Sequence, residues 1–144
     1  LVGVLRGAIV FLADLIRAIA IPHRYDLIGA SSYGDSVSSS GRVTITDPVR
    51  GSLEGCDVLV VEDILDTGLT TSVIMEEMES LAPRSVELCV LLSKQTERRV
   101  PIEPRYVGFE IPDEFVVGYG LDYAERFRHL DCIGILSPSV YRDD

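Results

Sequence analysis

The sequence has no excess of positive charge, few cysteines and no long uncharged apolar run, and each shortage removes a class of function. Thirteen Lys and Arg stand against 23 Asp and Glu, a net charge of −10 at pH 7. A general nucleic-acid binder needs a basic face, so that class is excluded. An anionic ligand would have to be received by local N–H groups, a few Lys or Arg, and metal. The three cysteines, Cys56, Cys89 and Cys132, are odd in number and far apart. They form neither a zinc spacing nor a disulfide framework, which fits a reducing cytoplasm. Residues 1–21 are strongly apolar, but Arg6, Asp14 and Arg17 interrupt them. That leaves nothing near the ~20 apolar residues of a membrane span, and no small-residue cleavage site follows.

The 144 residues suffice for one domain with a real core. At 47% hydrophobic and 25% charged, the composition is that of an ordinary globular protein. The chain opens on Leu1, directly in a strand-like run, and its natural start is expected upstream. Strands are expected at Leu1 to Leu5, Asp26 to Ser32, Arg42 to Thr46, Val58 to Val61, Val86 to Leu92, Tyr106 to Ile111, Phe115 to Leu121 and Ile133 to Leu136. Those at Leu1 to Leu5, Val58 to Val61 and Val86 to Leu92 read as buried, and Arg42 to Thr46 alternates like an antiparallel strand. Helices are expected over Ala8 to Ala20 and after Thr70. In the second helix Leu69, Val73, Ile74, Met78 and Leu81 recur at three- and four-residue spacing. Alternating strands and helices predict an α/β fold, a mostly parallel twisted sheet flanked by helices. In such sheets ligands collect at the carboxyl ends of the strands. Arg6-Gly7, Ser32-Tyr33, Glu62-Asp63, Lys94 and the run ending at Asp122 all fall there.

The densest of these runs is Val58 to Thr70. Four apolar residues are followed by Glu62 and Asp63, then by Asp66, Thr67, Gly68, Leu69 and Thr70. Unpaired charges are too costly to bury, so the strand is expected to end at Val61. A small, hydroxyl-bearing turn at a helix start offers free N–H groups and the positive end of the helix dipole, a ready phosphate site. Acids beside a phosphate cradle suit a ligand that also carries sugar hydroxyls and a divalent cation.

This run resembles the phosphoribosyl-pyrophosphate (PRPP) motif of the purine phosphoribosyltransferases: an apolar strand, Glu-Asp, two apolar residues, then Asp-Thr-Gly-x-Thr. The resemblance continues elsewhere. Leu1 to Gly7 looks like the family's pyrophosphate loop, with Arg6 where the family usually has Lys and the preceding peptide is often cis. Gly34 to Gly41, polar and serine-rich, reads alone as a plain hairpin loop. Led by Ser32 and Tyr33, it resembles the catalytic lid of the hypoxanthine-guanine enzymes. Val107 to Tyr123 is a further long match.

The resemblance implies a type I phosphoribosyltransferase of the hypoxanthine-guanine kind, residues 1–144 forming one domain. Its hood over the base would lack the family's segment upstream of the first strand. The implied reaction is purine salvage: hypoxanthine or guanine plus PRPP gives IMP or GMP plus pyrophosphate, with Mg2+. Asp66 would take the proton from purine N7. Glu62 and Asp63 would hold the ribose hydroxyls, directly or through hydrated metal, and residues 66–70 the 5′-phosphate. Arg6, Gly7 and Arg128 would bind pyrophosphate. Lys94 would donate to the purine 6-oxo group, Phe115 would stack on the ring, the Val116 carbonyl would accept from an exocyclic amine, and Asp122 would help hold magnesium beside the purine. Read without the resemblance, Lys94 is a solvated surface group, Phe115 ordinary core, and Asp122 a turn cap for residue 125. The resemblance also implies a cytoplasmic homodimer or homotetramer. A PRPP-sensing regulator or an inactive member of the same fold is the alternative. A regulator should carry a basic face or a DNA-binding module, and neither is visible in the sequence.

Overall fold

The computed structural model describes residues 1–32 and 43–141. Tyr33 and the lid expected over Gly34 to Gly41 lie outside the described residues. The chain runs β1 (Val2–Leu5), α1 (Ile9–Ala18), β2 (Asp26–Ser32), β3 (Val43–Asp47), β4 (Asp57–Leu65), α2 (Leu69–Ser80) and β5 (Ser85–Lys94). It continues with β6 (Tyr106–Ile111), β7 (Val116–Val117), β8 (Gly134–Ile135) and the short α3 (Pro138–Tyr141). Among the described residues, no helix is long and apolar enough to cross a membrane.

Six strands form one sheet in the order β3-β2-β1-β4-β5-β6, all parallel except β3, which runs antiparallel on β2. After β1 the chain moves to one side of the sheet, and with β4 it returns to the other. The neighbours β1 and β4 are therefore the strands at which the winding reverses, where open α/β sheets place their ligand crevice. Pairing between them stops at Gly3 against Val61, while β4 runs on to Leu65. Their carboxyl ends thus border an open cleft.

Two apolar layers sandwich the sheet. On one face Ile74 and Met78 of α2, four apart and fully buried, pack with Val2, Val4, Ile28, Val60, Leu65 and Val90. On the other, Phe11 of α1 and the β7–β8 region pack on Leu91 and Leu92 through Val116, Leu121 and Ile133. Helix α1 lies so close to β1 that a side chain at Gly3 would strike Leu12, at 2.5 Å.

Two expectations need correction. Strand β4 does not end at Val61; it includes Glu62 and Asp63. The cost of burying Glu62 is offset because Thr71 donates to its carboxyl at 2.7 Å and because burial pushes its pKa up to about 8, keeping it neutral at ordinary pH. The stretch from Phe115 to Leu121 is extended only at Val116–Val117; left-handed backbone at Gly118, Tyr119 and Gly120 turns the chain back at once.

Candidate active site

The cleft between β1 and β4 is a cavity of about 270 Å3. It gathers Arg6, Gly7, Glu62, Asp63, residues 66–70, Asp122 and Arg128, which the sequence reading assigned to the ribose, phosphate, pyrophosphate and metal. A larger groove of about 720 Å3 beside α1 is mostly apolar and lies away from these groups, so size alone does not mark the site.

Each wall has a local cause. The turn from β4 to α2 ends at Gly68, in left-handed backbone with φ 83°, and among the described residues no side chain caps the helix start. Its first N–H groups therefore point outward at the positive end of the helix dipole. No acid occupies the first turn to compete with an anion. The connection after β5 supports this turn from behind: Arg99 N–H donates to the Thr67 carbonyl at 3.0 Å. Opposite, the Leu5–Arg6 peptide is cis, and Gly7 lies so close to Asp63 that a Cβ would fall 1.7 Å from its carboxylate. Only glycine lets the two loops approach this far.

The cavity is rich in acid. Glu62 is 6% exposed. Burial also raises the pKa of Asp63, against opposing backbone hydrogen bonds and the Arg128 charge. Asp122 both caps the turn, accepting from Glu125 N–H at 2.8 Å, and pairs with Arg128 at 2.8 Å. Arg128 donates as well to the Gly120 carbonyl at 2.7 Å. Arg6, mostly exposed, leans on Glu125 at 3.3 Å. The oxygen donors suit a hard cation such as magnesium. Among the described residues no three His, Cys, Asp or Glu side chains gather to hold a metal by themselves. Magnesium is normally bound by one or two carboxylates plus substrate phosphates and water, so the donor set fits an ion delivered with a phosphorylated ligand.

Of the purine-assigned residues, Asp122 lines this cavity and Lys94, Phe115 and Val116 do not. Lys94, at the end of β5, is no solvated surface group: its side chain is 12% exposed. Its ammonium lies 3.5 Å from Asp66 and 3.3 Å from Asp113. Phe115, 36% exposed rather than core, meets Tyr123 edge-on at 5.7 Å. Val116 is held in β7 by pairing with Ile135 of β8. Sequence reasoning missed Thr71 under Glu62, Asp113 on Lys94 and Tyr123 behind Phe115. Thr71 lies one residue past the phosphate turn and faces inward, which helix periodicity from Ile74 and Met78 could have flagged. The other two carry no spacing signal.

Comparison with known proteins shows the family. A family model described as phosphoribosyl transferase domain matches residues 1–124. The chain is 49% identical over 142 residues to the hypoxanthine-guanine phosphoribosyltransferase of Mycobacterium tuberculosis (strain ATCC 25618 / H37Rv), a match covering 99% of this chain and 70% of that one. It is 49% identical over 140 residues to the enzyme of the same name from Bacillus subtilis (strain 168), covering 97% and 78%. A solved hypoxanthine phosphoribosyltransferase from Staphylococcus aureus superposes with a TM-score of 0.92 at 46% identity, covering 97% of this chain and 76% of that one.

Proposed function

The chain belongs to the phosphoribosyl transferase domain family and to its hypoxanthine-guanine branch, and on that premise we propose how its residues carry out purine salvage. The reaction transfers the 5-phosphoribosyl group from PRPP to N9 of a 6-oxopurine: the C1′–O bond to pyrophosphate breaks, a C1′–N9 bond forms, and the purine loses a proton. The observation that carries the assignment of roles is the 3.5 Å approach of Lys94 to Asp66, which puts a donor for the base beside a proton acceptor at the lip of the phosphate cradle.

In this reading the uncapped start of α2 and the hydroxyls of Thr67 and Thr70 hold the 5′-phosphate. Glu62 and Asp63 hold the ribose hydroxyls. Burial raises the pKa of Glu62 in the free protein, so there its carboxyl can donate as well as accept, and a carboxylate would only accept. Arg6, Gly7 and Arg128 receive the pyrophosphate. Asp66 accepts the proton from purine N7 as C1′ gains cationic character. Lys94 donates to the 6-oxo oxygen, Phe115 stacks on the ring, and the Val116 carbonyl accepts from a 2-amino group. Asp122 would help hold magnesium, and the ion would supply charge neutralisation for the leaving pyrophosphate.

Residues 1–144 act as one domain. The three free cysteines support a cytoplasmic setting. Val107 and Phe109, exposed on the edge strand β6, support assembly into a homodimer or homotetramer. The test is pyrophosphate release from PRPP with guanine, hypoxanthine, xanthine and adenine. Turnover is expected with guanine and hypoxanthine, and a chelator should abolish it. PRPP binding without turnover on any base would favour a ligand-sensing role instead.

A further inference from the structure

Resting on this reading of the pyrophosphate site, we propose that Tyr119 and Asp14 form a clasp that positions the pyrophosphate loop, a role outside the motifs that bind substrate. Two loops far apart in sequence build that end of the cavity. One is Arg6-Gly7, which leads directly into α1. The other runs from Gly118 to Arg128. Their contact is close: a Cβ at Gly120 would fall 2.2 Å from the Gly7 carbonyl oxygen. The same Gly120 offers its carbonyl to Arg128 at 2.7 Å, and Arg128 pairs with Asp122. A shift of Gly120 therefore moves the floor under Gly7 and the anchor of Arg128 together.

Between Gly118 and Gly120 stands Tyr119, with left-handed backbone at φ 52°. No backbone preference keeps a tyrosine there; its N–H donates to the Leu130 carbonyl at 2.9 Å, and its hydroxyl donates to the carboxylate of Asp14 on α1. Asp14 is fixed in turn by Arg17, one turn along the helix. Helix α1 is the continuation of the pyrophosphate loop, so this bond ties the second loop to the first through a rigid element. Tyr119 and Asp14 both line the large apolar groove, where Glu110 and Asp131 are the other acids. Neither Tyr119 nor Asp14 lines the ligand cavity. Both are positioning residues: they act on pyrophosphate through Gly7, Gly120 and Arg128.

The experiment uses the full chain and four variants: Tyr119→Phe, Asp14→Ala, Asp14→Asn and the double variant Tyr119→Phe/Asp14→Ala. Calorimetry measures binding of magnesium pyrophosphate, kinetics gives KM for PRPP and for guanine, and thermal unfolding gives Tm. Tyr119→Phe and Asp14→Ala should each weaken pyrophosphate binding and raise KM for PRPP by about 10-fold, the worth of one hydrogen bond to a charged acceptor. KM for guanine should stay put. Asp14→Asn, which keeps an acceptor oxygen for the hydroxyl, should stay within about 2-fold of the parent protein, and the double variant should be no worse than either single one. Unchanged pyrophosphate affinity in Tyr119→Phe, whatever happens to Tm, would overturn the clasp, as would Asp14→Asn behaving like Asp14→Ala. Should Tyr119→Phe not fold, the contrast between the two Asp14 variants decides alone. An unmodified protein that binds magnesium pyrophosphate but turns over no purine would contradict the proposed reaction and leave the clasp standing.

Discussion

At Glu62 the free protein keeps a proton that an ordinary carboxyl gives up. Burial is the main cause and a neighbouring Asp63 adds to it, while the Thr71 hydrogen bond pulls the other way; the result is a pKa near 8 against an ordinary 4.5. The sign of the consequence is fixed by linkage. Below about pH 4.5 the group is protonated in both folded and unfolded chains and contributes no pH dependence. Between that pH and about 8 the unfolded chain releases the proton and the folded one holds it, so stability falls as pH rises, then levels off. Urea unfolding of the free protein between pH 5 and pH 8.5 should show that decline, and Glu62→Gln should flatten it. An unchanged slope in the variant would mean that the proton sits elsewhere. Asp66, half-exposed beside Lys94, carries a different prediction. Asp66→Asn keeps the shape of the turn and removes the base, so kcat should fall by at least about 100-fold with PRPP affinity largely kept. Near-normal kcat would remove Asp66 from its role.

Among the elements, the β4–turn–α2 unit carries most of the binding chemistry proposed above, and its geometry depends on Gly68. The residue combines φ 83° with close side-chain neighbours, Val100 at 2.9 Å and Ile102 at 3.0 Å from a hypothetical Cβ. Gly68→Ala should cost about 1–3 kcal/mol through the left-handed backbone and weaken PRPP binding by tilting the first N–H groups of α2. The urea midpoint and KM for PRPP check the two effects separately; a variant that binds PRPP normally would show that the turn tolerates another backbone. This unit was also the most legible in the sequence. Four apolar residues, a small turn and an apolar period of three and four define strand, turn and helix without help. What stayed hidden was the far end of β4. Pattern reading treats Glu62 as a charge to be kept out of the sheet, whereas the fold neutralises it and supplies Thr71 from the next element. Phe115 to Leu121 was illegible for a related reason: its apolar letters read as a strand, but Gly118 and Gly120 take left-handed backbone because they pack against the carbonyls of Cys132 and Gly7. Those contacts depend on residues far along the chain.

At the scale of the whole molecule, function follows from strand order. The reversal of winding between β1 and β4 brings a loop from the first residues of the chain against acids from its middle and an arginine from near its end. Composition and periodicity could place candidates at strand ends but could not say which ends meet; family resemblance grouped most of them, and the cavity gathers Arg6, Gly7, Glu62, Asp63, residues 66–70, Asp122 and Arg128 but not Lys94, Phe115 or Val116. Contacts such as Tyr119 to Asp14, 105 residues apart, lay beyond both. The net charge of −10 gives no broad attraction to an anionic substrate, so in the proposed roles affinity comes from the local N–H cradle, two arginines and magnesium. Base choice is where the proposed roles act together, because Lys94 lies 3.5 Å from Asp66. An ammonium has three donors and no acceptor; it satisfies a 6-oxo group and leaves a 6-amino group unpaired, at about 1–3 kcal/mol or more. In the proposed roles the Val116 carbonyl would add a contact for a 2-amino group. The decisive measurement is therefore kcat/KM for guanine, hypoxanthine and adenine with the parent protein and with Lys94→Ala. The parent protein should use guanine at least as well as hypoxanthine and fail on adenine, and the variant should lose most activity on guanine while the gap to adenine narrows. Unaltered discrimination in Lys94→Ala would contradict the account, because pocket shape rather than the lysine would then select the base.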